Sequence, residues 1–136
     1  MVIRGKNELR NTRIILMKIA SFNANGIRAR MPVIIDWIAK ESPDILCIQE
    51  TKVQDAEFPK EHFEEKKYHC TYNGQKSYNG VAIISKTIPL RAEFGFGDDD
   101  ETEKVRIATA YFENLVVINT YIPHGREPGS ALLTTC

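Results

Sequence analysis

Ser21-Phe22-Asn23-Ala24-Asn25-Gly26-Ile27-Arg28-Ala29, followed one helix-length later by Pro43-Asp44-Ile45-Leu46-Cys47-Ile48-Gln49-Glu50-Thr51-Lys52, decides how this chain folds. Each half is an apolar run that ends in polar groups suited to phosphate and metal chemistry. Residues 18–22 read as a first strand, and Asn25-Gly26 supplies the sharp turn that strand-to-helix connections use. Met31, Ile34, Ile35 and Ile38 recur at helical spacing, with Pro32 tolerated in the first turn and residues 40–43 ending the segment. Residues 44–49 form a second short strand. A strand, helix, strand crossover of this length predicts parallel neighbours, which brings Asn23 and Glu50 to the same sheet end.

Beyond Lys52 the pattern changes. Residues 53–66 are polar with scattered aromatics and read as a loop or irregular helix. Strand-like runs follow at 68–72, 80–85, 90–96, 105–112 and 115–121, and the short Glu113-Asn114 link favours an antiparallel hairpin. A mixed sheet is expected. Leu115-Val116-Val117-Ile118 is apolar at successive positions, which predicts burial on both faces. Asp98-Asp99-Asp100-Glu101 reads as a solvated loop, because adjacent carboxylates repel and lack convergent geometry.

The chain has 136 residues, with 18 basic and 18 acidic side chains and no net charge. Such a balance excludes a protein that wraps nucleic acid by charge alone, although a local basic strip suffices for transient contact. Cys47, Cys70 and Cys136 have no metal-ligand spacing, and a reducing cytoplasm is the simplest compartment. Arg4, Lys6, Arg10 and Arg13 precede a short apolar stretch that Lys18 breaks, so a secretory signal is not expected. No apolar run approaches a membrane span.

Taken alone, Glu50 reads as an ordinary strand-end glutamate, and Asn23 and Asn25 as turn residues beside Gly26. Tyr121 competes with a packing role. Arg28, Lys52, Lys76, Tyr78 and Arg106 are individually typical surface residues, of types that also contact phosphates, sugars and bases. His62, His69, His124 and Trp37 suggest no role.

The two opening blocks continue through Gly74-Gln75-Lys76-Ser77-Tyr78-Asn79-Gly80-Val81-Ala82-Ile83-Ile84-Ser85 and Val117-Ile118-Asn119-Thr120-Tyr121-Ile122-Pro123. Together they resemble the exonuclease III family of apurinic/apyrimidinic endonucleases, within the endonuclease/exonuclease/phosphatase superfamily, over roughly residues 17 to 125. The resemblance implies an α/β (α+β) fold, part of a four-layer αββα sandwich. This segment is expected to supply mainly one mixed sheet with its covering helix, and a missing half the second sheet. It implies that Glu50 binds Mg2+ (or Mn2+), that Asn23 belongs to the catalytic and metal centre, and that Tyr121 directs its hydroxyl at the phosphate. DNA-backbone contacts are implied for Arg28, Lys52, Tyr78 and Arg106. The implied partner is double-stranded DNA with abasic sites or 3′ ends.

Residues 1–16 are expected to lie outside the domain, and residues 126–136 diverge from the family pattern. The family's later Gly-Asp-x-Asn and Asp-His segments do not occur, and no aspartate follows Asp100. The expected function is therefore that of a DNA repair nuclease of the exonuclease III type, truncated and inactive as this chain. Two alternatives stand beside it: a catalytically dead fragment with weak nucleic-acid binding, and a related superfamily phosphodiesterase or phosphatase. Self-association of the isolated chain is also expected.

Overall fold

The structure, a computed structural model, describes residues 2–8, 14–97 and 100–123, with side chains described from Leu16 onward. Strands β1 (Val2–Glu8), β2 (Ile14–Asn23), β3 (Ile45–Gln49), β4 (His69–Asn73) and β5 (Val81–Ser85) form one sheet in the order β1-β2-β3-β5-β4. Only β2 and β3 run parallel, in register from Ile19↔Ile45 to Asn23↔Gln49. The strand expected at 18–22 thus starts earlier, at Ile14, and its outer side pairs antiparallel with β1.

Helix α1 (Ile27–Glu41) makes the crossover and lays Ile27, Met31, Ile34 and Ile38 against the sheet, the spacing read from the sequence. Gly26, at φ 100°, precedes it without a side-chain cap; the Ile27 N–H instead donates to the Thr51 carbonyl at 3.0 Å. Pro32 sits in the second turn rather than the first, where its missing N–H leaves one helical bond unmade. Ser42 closes the helix in the left-handed conformation, its N–H donating to Ile38 at 2.8 Å. The region expected to be irregular contains a single 3₁₀ turn at Asp55–Glu57 and the short α2 (Lys60–Glu64).

The central strands are apolar throughout because both of their faces are buried. Leu46, Ile48, Ala82 and Ile84 pack under α1, with Phe58, Phe63 and Tyr68 completing that core. Ile45, Cys47, Val81 and Ile83 face the other way, onto a second sheet within this chain. That sheet is antiparallel, ordered β6 (Arg91–Phe94), β7 (Ile107–Phe112), β8 (Leu115–Thr120), and turns Ala108, Ala110 and Val117 inward.

Two expectations need correction here. The described residues include three strands of the second sheet, because the link after Ser85 moves the chain to the opposite layer, a step that apolar alternation does not reveal. In β8, Val117 is buried while Val116 and Ile118 are 51% and 63% exposed, so this strand is buried on one face. The described layers are helix, mixed sheet and second sheet, and the outer face of the second sheet has no covering helix among the described residues. At the β8 edge a cleft of about 310 Å³ opens between the sheets, lined by Ile19, Ser21, Cys47, Leu115 and Val117 among others.

Of the acidic run, Asp100 and Glu101 are described, and they open a short helix rather than a loop. Asp100 caps the short α3 (Glu101–Lys104) by accepting the Thr102 N–H at 2.9 Å; Asp98 and Asp99 lie outside the described residues, as do His124 and the tail. Burial pushes the Cys47 thiol up to about 11 and the Cys70 thiol up to about 12, so both are protonated packing residues at neutral pH. No helix among the described residues is long and apolar enough to cross a membrane.

Candidate functional site

The ends of β2 and β3, the loop 74–80 and the junction of β7 with the residue after β8 meet at one rim of the sandwich. Parallel register places Asn23 opposite Gln49, one residue before Glu50. The segment 50–52 is then held from two sides. Gly26 N–H donates to the Glu50 carbonyl at 2.8 Å, while Thr51 and Lys52 N–H groups donate to Gly80 and Asn79 carbonyls at 3.2 and 2.9 Å.

The rim concentrates left-handed backbone at residues other than glycine: Asn25, Glu50, Lys52, Ser77 and Asn79 have φ between 45° and 70°. Such conformations cost about 1–3 kcal/mol each for ordinary residues and persist where surrounding contacts over-determine them, commonly at functional sites. The doubly held 50–52 segment meets that condition.

Asn23 uses both ends of its side-chain amide. Its Oδ1 accepts the Asn25 N–H at 3.0 Å, fixing the turn, while its Nδ2 donates to Glu50 Oε1 at 3.1 Å. Lys52 turns inward: its Nζ lies 3.3 Å from Glu50 Oε2 and donates to Asn25 Oδ1 at 2.5 Å. The Tyr121 hydroxyl also hydrogen-bonds the Glu50 carboxylate, so a group from the second sheet reaches the same point.

Electrostatically, partial desolvation is the largest single influence on Glu50 and acts upward. Hydrogen bonds from Asn23, Lys52 and Tyr121, with the Lys52 charge, together outweigh it and hold the carboxyl below its ordinary range. A depressed folded-state pKa contributes stability that is complete above the unfolded-state value and disappears as pH falls through the folded value. Thermal melts across about pH 3 to 5 should therefore show a shallower acid loss in Glu50→Gln than in the parent. Identical acid limbs would contradict this charge network.

The remaining candidates sit farther out. Arg106 belongs to the rim: its Nε donates to Asn79 Oδ1 at 3.5 Å, and its carbonyl accepts the Tyr121 N–H at 2.7 Å. Tyr78 is 69% exposed on the 74–80 loop, and Arg28, in the first turn of α1, faces Glu57 at 3.6 Å. Lys76 is exposed on the same loop as Tyr78. Among the described residues no group of three His, Cys, Asp or Glu side chains converges as a metal cluster.

Sequence reasoning assigned nothing to Asn79, Gln49 or Asn119, which tie these segments together. Asn119 was detectable in principle, as a polar residue at an inward position of an otherwise apolar strand.

The sequence profile of the endonuclease/exonuclease/phosphatase family matches residues 20–134. The chain belongs to this family. It is 42% identical over 115 residues to exodeoxyribonuclease III of Haemophilus influenzae, covering 82% of this chain and 43% of that protein. An exodeoxyribonuclease of Bacillus subtilis is 36% identical over 115 residues, covering 82% and 44%, and the zebrafish (Danio rerio) DNA repair nuclease APEX1 is 35% identical over 113, covering 79% and 36%. This chain thus spans less than half the length of these curated relatives. Among solved structures, an AP endonuclease from Archaeoglobus fulgidus superposes with a TM-score of 0.81 at 41% identity, covering 87% of this chain and 46% of that one. The 3′ phosphatase NExo from Neisseria, bound to a product DNA hairpin, gives the same score at 34% identity and the same coverages.

Proposed function

We propose that residues 17–125 are the N-terminal half of a metal-dependent DNA repair nuclease, cleaving phosphodiesters at abasic sites and 3′ ends in a reducing, cytoplasmic setting. The observation that carries this reading is the meeting of Asn23, Lys52 and Tyr121 on the Glu50 carboxylate, from two sheets, at one rim. The donor set fits magnesium, with manganese as a substitute: Mg2+ keeps several waters and takes one or two protein carboxylates beside substrate phosphate, and Glu50 offers a deprotonated, partly exposed carboxylate. When bound, the metal supplies Lewis-acid polarisation of the phosphate oxygen.

Around that point the chain's own groups divide the work. Asn23 orients the carboxylate, Tyr121 presents a hydroxyl to the phosphate, and Lys52 holds Glu50 by charge. Arg28, Tyr78 and Arg106 line the approach as backbone contacts that position DNA without reading sequence. The 136-residue chain by itself is proposed to be inactive, because the Gly-Asp-x-Asn and Asp-His segments expected to supply the base that activates water do not occur in its sequence. It is also proposed to self-associate, through the open cleft at β8 and exposed Val116, Ile118, Leu90 and Ile122.

Fluorescence anisotropy with a duplex carrying an abasic-site analogue tests the reading on the chain as it exists. Binding should weaken with salt, and Arg106→Ala should reduce the slope of log K against log salt by about 0.9, the loss of one phosphate contact. An unchanged slope, or no binding at low salt, would contradict it.

A further inference from the structure

Glu50 and Tyr121 belong to different sheets, and the interface between those sheets is largely apolar: Ile45, Cys47, Val81 and Ile83 against Ala108, Ala110 and Val117. Apolar burial is non-directional, so it presses the sheets together without fixing how one slides on the other. A site that joins groups from both sheets needs them held to about half an ångström. The apolar core does not supply that precision.

Asn119 does. It is 2% exposed, deep between the sheets, and uses both amide N–H groups: Nδ2 donates to the Ile48 and Ala82 carbonyls, each at 2.9 Å. Ile48 and Ala82 are register partners on β3 and β5, so one amide on β8 grips two neighbouring strands of the opposite sheet. Its Oδ1 accepts from Gln49 Nε2 at 2.7 Å, and Gln49 donates in turn to Ser21 Oγ on β2 at 3.0 Å. The contact set needs two donors and an acceptor on one short side chain. Asparagine provides these, whereas aspartate has no donor and serine a single one.

We infer that Asn119 is a positioning residue: a cross-sheet clamp whose grip on Ile48 and Gln49 sets where Tyr121, two residues along β8, meets Glu50, the residue after Gln49. The Tyr121 N–H bond to the Arg106 carbonyl, at 2.7 Å, continues the β7–β8 ladder and transmits that placement to the rim. The β8 edge faces the open cleft, which makes the clamp's directional bonds the more necessary. The functional meaning of the clamp rests on Glu50 and Tyr121 forming the site, but its geometry can be tested without DNA or turnover.

The experiment is NMR on the parent chain and three variants with selectively labelled tyrosine. In the parent, nuclear Overhauser contacts should join the Tyr121 ring to the side chains of Glu50 and Asn23. Asn119→Ser is expected to lose those contacts while keeping the amide pattern of both sheets. Val117→Ala, which trims the same inward face without touching the amide network, is expected to keep them. Should Asn119→Ser fail to fold, Gln49→Leu carries the same expectation of loss, because it releases the grip from the other side. Contacts retained in a folded Asn119→Ser, or lost equally in Val117→Ala, would overturn the clamp. A chain that shows the clamp but binds no abasic duplex would instead overturn the proposed function and leave the clamp standing.

Discussion

Incubated with an abasic-site duplex and magnesium, the isolated 136-residue chain is expected to release no more incised product than its Glu50→Gln variant. Phosphodiester hydrolysis needs a polarised phosphate and an activated water together. The rim gathers Glu50, Asn23, Lys52 and Tyr121 for the first task, and among the described residues no group of three His, Cys, Asp or Glu side chains joins for the second. No aspartate follows Asp100 anywhere in the sequence. A positioned general acid or base contributes ~10²–10⁴ in rate, so its absence alone should bring incision to background. Metal-dependent incision well above the Glu50→Gln control would show that other residues of this chain complete the centre.

Gly80→Ala is expected to be far more damaging than its size suggests. An added Cβ would lie 2.0 Å from Thr51 Oγ1 and 3.3 Å from the Lys52 nitrogen, at a residue whose φ is 97°. Thr51 is 2% exposed and has no room to withdraw. Gly80 is itself pinned, donating to the Val105 carbonyl at 2.8 Å and accepting from Thr51 at 3.2 Å. Overpacking and backbone strain each cost about 1–3 kcal/mol, so a combined loss of ~2–6 kcal/mol is expected. That is a large part of the ~5–15 kcal/mol that holds a typical domain together. Gly97→Ala is the control, with φ 88° but nothing within 4 Å of its Cβ, so it carries strain alone. Urea denaturation should separate the two clearly; matching midpoints would contradict the packing described at the Glu50 loop.

Periodicity and turn chemistry made the first half of the fold legible. The i, i+3, i+4 rhythm of Met31, Ile34 and Ile38 and the polar stops at Asn23 and Glu50 were sufficient for the parallel crossover, and hence for the Asn23–Glu50 contact at 3.1 Å. The Glu113-Asn114 link gave the β7–β8 hairpin. The second sheet was not legible, since strands of either sheet alternate alike and the crossing after Ser85 leaves no compositional mark. For the same reason β8 was expected to be covered on both faces, whereas Val116 and Ile118 face outward.

Within the site, residue types gave the candidates but not their orientation. Lys52 reads from sequence as a cation free for phosphate, and the fold turns it onto Glu50 and Asn25, because the left-handed backbone at both 50 and 52 folds the segment back on itself. Asn119 could be noticed as a polar residue in an apolar strand, but what it grips was not legible, because its partners, Ile48, Ala82 and Gln49, lie about 37 to 71 residues away in the chain. Long-range hydrogen bonds have no local signature.

The central claim is that Glu50 anchors a divalent cation at the rim where Asn23, Lys52 and Tyr121 converge, and titration of the chain with Mn2+, followed by paramagnetic broadening of its amide and side-chain resonances, tests it most directly. The account predicts that the first signals to broaden are those of Asn23, Glu50, Lys52 and Tyr121. Binding should weaken markedly in Glu50→Gln and strengthen in Lys52→Met, which removes the ammonium that competes for the same carboxylate. Broadening centred away from this rim, or unaffected by Glu50→Gln, would contradict it.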